Sequence, residues 1–326
     1  MQSARPFIEK EIHPTLIVNS YFKALEYING IVSSMAKELK PEEMSTIVES
    51  CISTKFSTKW GKHLAGLALD AIKKITVVKE GGRKEIDIKR YARVEKIPGG
   101  TLDESVVLDG VILNKDVTDA QMSRKIVNPR IVLLDCNLEY KKGESMTNME
   151  FTKEEDFKTA LRMEEMEVKK MCEHIIRVKA DIVLTEKGIS DIAQHFLLKH
   201  NIAAIRRIRK TDNNRLARCT GATIANRPEE LQETDVGTMC GLFEVKLIGD
   251  EYFAYFVKCK DPKACSIILR GGSKDVLNEM ERNLQDALSV AKNVSMNPRL
   301  LPGGGAVEME ISARLEDYSK TLKGPA

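Results

Sequence analysis

The chain has 326 residues, enough for two or three domains at roughly 100–200 residues each. With 42% hydrophobic and 30% charged residues it has an ordinary globular composition, and 51 basic against 48 acidic residues leave a net charge of only +3, which excludes a global electrostatic drive toward nucleic acid or an anionic membrane. No apolar run approaches the ~18 residues needed to cross a bilayer, and the first fourteen residues carry Glu9, Lys10 and Glu11 where a signal peptide would be apolar, so a cytoplasmic location is expected.

In chain order, the first hundred residues read as helices. Leu25, Ile28, Val32, Met35 and Leu39 recur at spacings of three and four, one face of a helix that Pro14 can open. Met44, Ile47, Val48 and Cys51 predict a second helix, and Trp60, Leu64, Leu67, Ala68, Ala71, Ile72 and Ile75 a third. A charged stretch, Lys79 to Lys96, runs to Pro98-Gly99-Gly100, and there the period changes. Val106–Leu113, Arg130–Asp135, Asp181–Thr185 and Ile202–Ile208 are dense in Val, Ile and Leu and predict strands, with helical patterns at 157–178, 189–200 and about 212–219. That alternation predicts a small parallel α/β layer. Leu242–Ile248 and Tyr252–Val257, joined through Gly249-Asp250, predict an antiparallel hairpin. Cys265–Leu269 is a further strand ending at Gly271-Gly272, and a long helix follows with Val276, Met280, Leu284, Ala287 and Val290 on one stripe. The fold class is therefore α/β within a wider α+β arrangement: an α/β domain inserted into a helical one through two crossings marked by glycine pairs. Such crossings make either a hinge or two ordinary turns.

The seven cysteines are odd in number and form no CxxC, and the five histidines include no HExxH. No metal site is expected, and buried reduced thiols are the reading of the cysteines. The cluster Arg206, Arg207, Arg209, Lys210, Arg215 and Arg218 lacks interleaved aromatics, so no nucleic-acid partner is expected; a charged wall or subunit contact fits it better. A doubly wound dinucleotide enzyme would need GxGxxG after a strand, and the sequence has none. A Walker A loop is absent too, because Gly61-Lys62 is followed by His63.

Several strings resemble the cytosolic group II chaperonins: EIHPTLI (11–17), YARVEKIPGG (91–100), NPRIVLLD (128–135), TEKGISDIA (185–193), ERNLQDA (281–287) and LPGGGAVE (301–308). GRKEIDIKRYARVEKIPGG, LEYKKGES, AIRRIRKTDNNR and GDEYF are similar to the gamma branch of that family. The resemblance implies equatorial remnants at 1–13 and 300–326, an intermediate domain in two parts at 14–104 and 276–299, and an apical substrate-binding domain at 105–275. A lid-like protrusion is implied at about 141–170. It also implies ATP and Mg²⁺ for a complete subunit, other subunits in a double ring, and non-native clients such as actin and tubulin.

By the same resemblance Asp286 matches the aspartate that activates the attacking water, since a carboxylate can hold a water in line with a γ-phosphate. Gly303, Gly304 and Gly305 match nucleotide-contacting glycines, while Thr54 and Lys55 match a loop that senses the γ-phosphate. The family's GDGTT phosphate loop does not occur in this sequence, so no nucleotide is expected on this chain alone. An ATP-independent client binder, or a fragment without function, is the alternative reading. The helix from Ile189 to His200 resembles the family's client-facing helix. At 100° per residue, Ile189, Ile192, Ala193, Phe196, Leu197 and His200 share one face and are expected to pack inward, and Asp191, Gln194, His195 and Leu198 to face the client. Met239 and Cys240 depart from the gamma pattern, which favours Gly and Ala there.

Overall fold

The computed structural model describes residues 4–53, 58–140 and 154–322. They form two compact units, Met1–Thr46 with Asn293–Ala326, and Ile47–Lys292.

The first unit is helical. After the short α1 (Arg5–Glu9) comes α2 (Pro14–Met35), whose N-terminus is set by Pro14 and by His13, with the Thr15 N–H donating to His13 Nδ1 at 3.3 Å. The helix stops before Leu39, which the heptad-like spacing had included. Ala36 turns extended, and β1 (Lys37–Glu38) pairs antiparallel with Arg299–Leu300. Tyr27 of α2 stacks on Tyr318 of the helix Ala306–Thr321, ring centroids 4.0 Å apart. Apolar burial is sparse: Ala4, Ile31 and Val294 are buried, whereas Phe7, Ile8, Leu16, Val18, Tyr21, Phe22 and Leu25 are exposed.

The second unit opens within α3 (Glu43–Ile52), where of the predicted stripe only Val48 is buried, together with Ile52, and continues with α4 (Thr58–Ile75), on which Leu64, Leu67, Ala68, Ala71, Ile72 and Ile75 are buried as predicted. The charged stretch after them is not a loop. The hairpin of β2 (Val77–Val78) and β3 (Lys84–Glu85) leads into it, followed by the single turn α5 (Ile88–Tyr91) capped by Asp87 and the seven-residue strand β4 (Ala92–Pro98). The expected strand 106–113 is two short ones, β5 (Val106–Val107) and β6 (Val111–Leu113). They break at Gly110, where φ is +155° and a Cβ would lie 1.9 Å from the Phe256 carbonyl oxygen, so only glycine fits.

Next come β7 (Lys125–Val127), β8 (Ile131–Leu134), α6 (Glu154–Arg177), β9 (Ile182–Thr185), α7 (Asp191–Lys199), β10 (Ala203–Ile205), α8 (Lys210–Thr220) and β11 (Ile224–Ala225). Strands β10-β9-β8-β11 form the predicted parallel sheet, with Ile131 opposite Ile182 and Ile182 opposite Ala203. Every residue of β8, β9 and β10 is buried, which is why these strands read as unbroken apolar runs. The hairpin β12 (Leu242–Ile248) and β13 (Glu251–Val257) turns at Gly249-Asp250 and lies between β6 and β7 in an antiparallel sheet. Phe243 and Phe256 pair across it, ring centroids 5.0 Å apart. Then β14 (Cys265–Gly271) pairs parallel with β4 and antiparallel with β5, and α9 (Lys274–Met296), β15 (Arg299–Leu300) and α10 (Ala306–Thr321) complete the chain.

Of the glycine pairs, Gly99 and Gly100 hold φ of +90° and +77°. Gly271 lies in the strand instead, its carbonyl accepting the Gly99 N–H at 2.8 Å. The two crossings are therefore tied side by side.

Candidate functional site

The helix α7 is capped by Ser190, whose hydroxyl accepts the Ala193 N–H. Its buried residues are Ala193, Gln194 and Leu197, with Phe196 and Leu198 half-buried against the core. Asp191 and His195 are exposed as expected, and so is Ile192, at 39%. The expected faces are thereby corrected: Gln194 is buried and Leu198 half-buried rather than open, while Ile192 and His200 are exposed. The cause is α6, which packs along α7, Cys172 Sγ lying 4.0 Å from the Ala193 carbonyl. A second helix turns the buried stripe away from the sheet-facing direction. Gln194 Nε2 donates to the Ile189 carbonyl at 3.2 Å and to Asp191 Oδ1 at 3.3 Å, so it holds the start of the helix rather than facing a client.

The same helix α6 carries a signal that the sequence reading passed over as mere charge. Its buried stripe of Val168, Cys172 and Ile175 continues toward the N-terminus at helical spacing to Leu161 and Phe157. These are 45% and 49% exposed, and Met163 and Met166 on the other side are also exposed. The N-terminal part of the helix is more exposed than the rest. Its exposed apolar residues sit among Glu154, Glu155, Asp156, Glu164, Glu165 and Glu167. Of the expected protrusion, 141–153 lie outside the described residues.

A buried ion network joins β4 to α8. Asp212 Oδ1 accepts from Arg93 Nη1 and from Arg215 Nη1, both at 2.6 Å, and Arg215 Nε donates to the Arg90 carbonyl at 2.7 Å. Arg93 Nε also lies 2.5 Å from Glu95 Oε1. That oxygen has no well-directed hydrogen bond among the described residues. Arg218 stacks over Tyr91, 3.7 Å from the ring centre. Part of the sequence's basic cluster is thus structural. The network walls a groove of about 410 Å³ shared with Glu281, Gln285 and Ser289 of α9.

Burial raises the pKa of Glu95 above the usual carboxylate value, outweighing attraction by Arg93, and burial lowers that of Arg215. For a carboxyl with a raised native pKa, the folded state binds more protons than the unfolded one between the two pKa values, so stability falls as pH rises through that window. Glu95→Gln is therefore expected to be more stable than the parent at pH 7, with the gap closing as pH falls toward the ordinary carboxylate value. Urea midpoints at both ends check this; a gap that widens on acidification contradicts it.

The nucleotide residues divide between the two units. Asp286 is half-buried on α9, in a recess of about 340 Å³ shared with Glu279, Arg282, Asn283 and Gln285. Gly303, Gly304 and Gly305 form an exposed turn; Gly304 and Gly305 hold φ of +69° and +82°, and no atom lies within 4 Å of where a Cβ would be on any of the three. Gly305 is the N-cap of the 16-residue α10 and offers no side-chain cap. An open glycine turn leading into a helix N-terminus is of the kind that suits an anion. Thr54 and Lys55 lie outside the described residues. No cluster of metal ligands occurs among the described residues, and no described helix is long and apolar enough to cross a membrane.

The sequence model of the TCP-1/cpn60 chaperonin family matches residues 1–326, and the chain belongs to that family. It is similar to T-complex protein 1 subunit gamma of Oxytricha granulifera, 65% identical over 329 residues that cover 99% of this chain and 59% of the relative. The human protein of that name is 54% identical over 327 residues, covering 98% and 59%. Among solved structures, the open-state monomer of a group II chaperonin from Methanococcoides burtonii matches with a TM-score of 0.80 at 30% identity, covering 99% of this chain and 74% of that one. The chain thus spans about three-fifths of the length of these curated relatives.

Proposed function

We propose that this chain is the client-handling portion of a chaperonin subunit, and that the face built by α6 and α7 captures non-native polypeptide. The observation that carries this reading is the apolar stripe of α6, buried at Val168 and Cys172 yet continuing into exposed Leu161 and Phe157. Exposed apolar side chains interrupted by charge, with adaptable methionines nearby, suit transient contact with partly folded chains. On α7 the residues offered to a client are Asp191, Ile192 and His195, with half-buried Leu198 at the edge. By the family resemblance, in a complete subunit using ATP with Mg²⁺ the glycine turn would contact the nucleotide, Thr54 and Lys55 would sense the γ-phosphate, and Asp286 would activate the attacking water. Its partners would be other subunits of a cytoplasmic double ring, and actin and tubulin would be its clients. Capture by these 326 residues is read as independent of ATP.

The test is dilution of denatured actin into buffer containing the 326-residue chain, followed by light scattering, with and without ATP. The parent chain is expected to suppress aggregation equally in both. Leu161→Ser with Met163→Ser should remove most of that suppression while changing stability by no more than ~0.5 kcal/mol, since both side chains are exposed. Undiminished suppression by the double variant would assign capture to another surface. Gln194→Ala, by contrast, should cost ~1–2 kcal/mol of stability through its lost buried hydrogen bond.

A further inference from the structure

We propose that Cys240 and Cys259 are a dithiol site that closes to a disulfide when a hydroperoxide reaches it. The backbone supports this first. In the β12–β13 ladder Leu242 faces Val257, and the same register persists beyond the last paired residues. The Lys260 N–H donates to the Met239 carbonyl at 3.0 Å, and a Cβ on Gly241 would lie 2.8 Å from the Lys258 carbonyl oxygen. Those two contacts bracket Cys240 and Cys259, which are therefore directly opposite, their side chains on one face. A residue pair facing across antiparallel strands has its Cα atoms ~4.5–5.5 Å apart, inside the ~4.4–6.8 Å that a disulfide spans. The sulfurs agree with the backbone: Cys240 Sγ lies 3.6 Å from the Val257 carbonyl, and Cys259 Sγ lies 4.0 Å from that of Phe256. A third thiol, Cys219, is near, but it is engaged with the Ala264 carbonyl at 2.9 Å.

The pair is guarded in the closed fold. Cys240 is 1% and Cys259 7% exposed. A thiol–thiol hydrogen bond with Cys259, together with burial, pushes Cys240 up, and contact with Cys219 and burial push Cys259 up to about 12. Only a thiolate attacks peroxide, so reaction waits for the base of the hairpin to open. Cys259, the more exposed, then attacks the O–O bond as thiolate and releases water on protonation of the departing oxygen, leaving a sulfenic acid. The Cys240 sulfur displaces its oxygen as a second water, so two thiols and one hydrogen peroxide give one disulfide and two waters.

The bond would fix a junction. The segment just before Cys240 exchanges hydrogen bonds between Gly237 and Ile131 of the parallel sheet, and the Met239 N–H donates to the Thr220 carbonyl at the end of α8. Cys259 leaves the antiparallel sheet through Lys258, held at φ +58°. Oxidation therefore clamps one sheet to the other.

The experiment treats the folded 326-residue chain with hydrogen peroxide, in buffer and in sub-denaturing urea, then alkylates and maps peptides without reduction. Cleavage after Glu, Lys and Arg places Cys219, Cys240, Cys259 and Cys265 on separate peptides. The expected product is a Cys240–Cys259 linked peptide, formed faster in urea, with a raised melting temperature. The link should persist in Cys219→Ser and vanish in Cys240→Ala, a variant whose unoxidised melting temperature reports that it folds. A link from Cys259 to Cys219 or to Cys265, or oxidation confined to sulfinic acid even in urea, overturns the proposal.

Discussion

Asp212→Ala is expected to destabilise the chain by ~3–5 kcal/mol, the cost of removing one partner from a buried ion pair. Among the described residues, Asp212 is the one carboxylate that both guanidiniums touch at 2.6 Å. The side chains of Asp212 and Arg215 are 9% and 8% exposed and that of Arg93 19%, so water cannot take over. Removing the carboxylate leaves Arg215 and Arg93 facing each other with Glu95 alone to offset them. Urea unfolding at pH 7 reads the loss directly; a change below about 1 kcal/mol, the scale of exposed pairs, would show that the network is solvated in solution. Asp212→Asn, which keeps a hydrogen-bond acceptor, should fall between the two.

The second large effect concerns Asp286 in a full-length subunit carrying these residues. Asp286→Ala should leave nucleotide affinity nearly unchanged and slow hydrolysis by ~10² or more, as expected when a group that orients water or accepts its proton is lost. Steady-state turnover against a nucleotide-affinity measurement separates the two effects. Unchanged turnover would remove Asp286 from the role.

Much of this architecture can be read from local pattern. The parallel strands are apolar on both faces and the helices α4 and α9 carry clean stripes, so their type and order were visible in the sequence. Strand β4 was not. In Ala92-Arg93-Val94-Glu95-Lys96-Ile97 the charged side chains Arg93 and Glu95 fill one face, and their burial depends on Asp212, 119 residues beyond Arg93. No window along the sequence contains that partner. Gln194 failed for a related reason: helical periodicity gives the angle between residues on α7 but not the direction from which α6 approaches. Leu161 and Phe157 were hidden by the eleven charges among eighteen residues from Lys153 to Lys170. Family strings supplied Asp286 and the triple glycine, which spacing alone would have left as a solvated carboxylate and a turn.

Strand β14 has a consequence for how motion passes through the Ile47–Lys292 unit. Its alternate residues serve two different interiors. Cys265, Ile267 and Leu269 lie in the core made by α3, α4 and α9, while Ile268 packs with Ile97, Ile112 and Phe253 under the antiparallel sheet. Ser266 adds a stitch, its hydroxyl accepting the Ile112 N–H at 3.2 Å. A strand gripped on both sides is a torsion bar: it has no lubricated surface along which either layer can slide. A turn imposed on α9 must reach the antiparallel sheet as rotation of the whole bar, and a twist of that sheet must reach α9 by the same route. Stiffness here keeps a small angular input at one end of the strand from being absorbed before it arrives at the other.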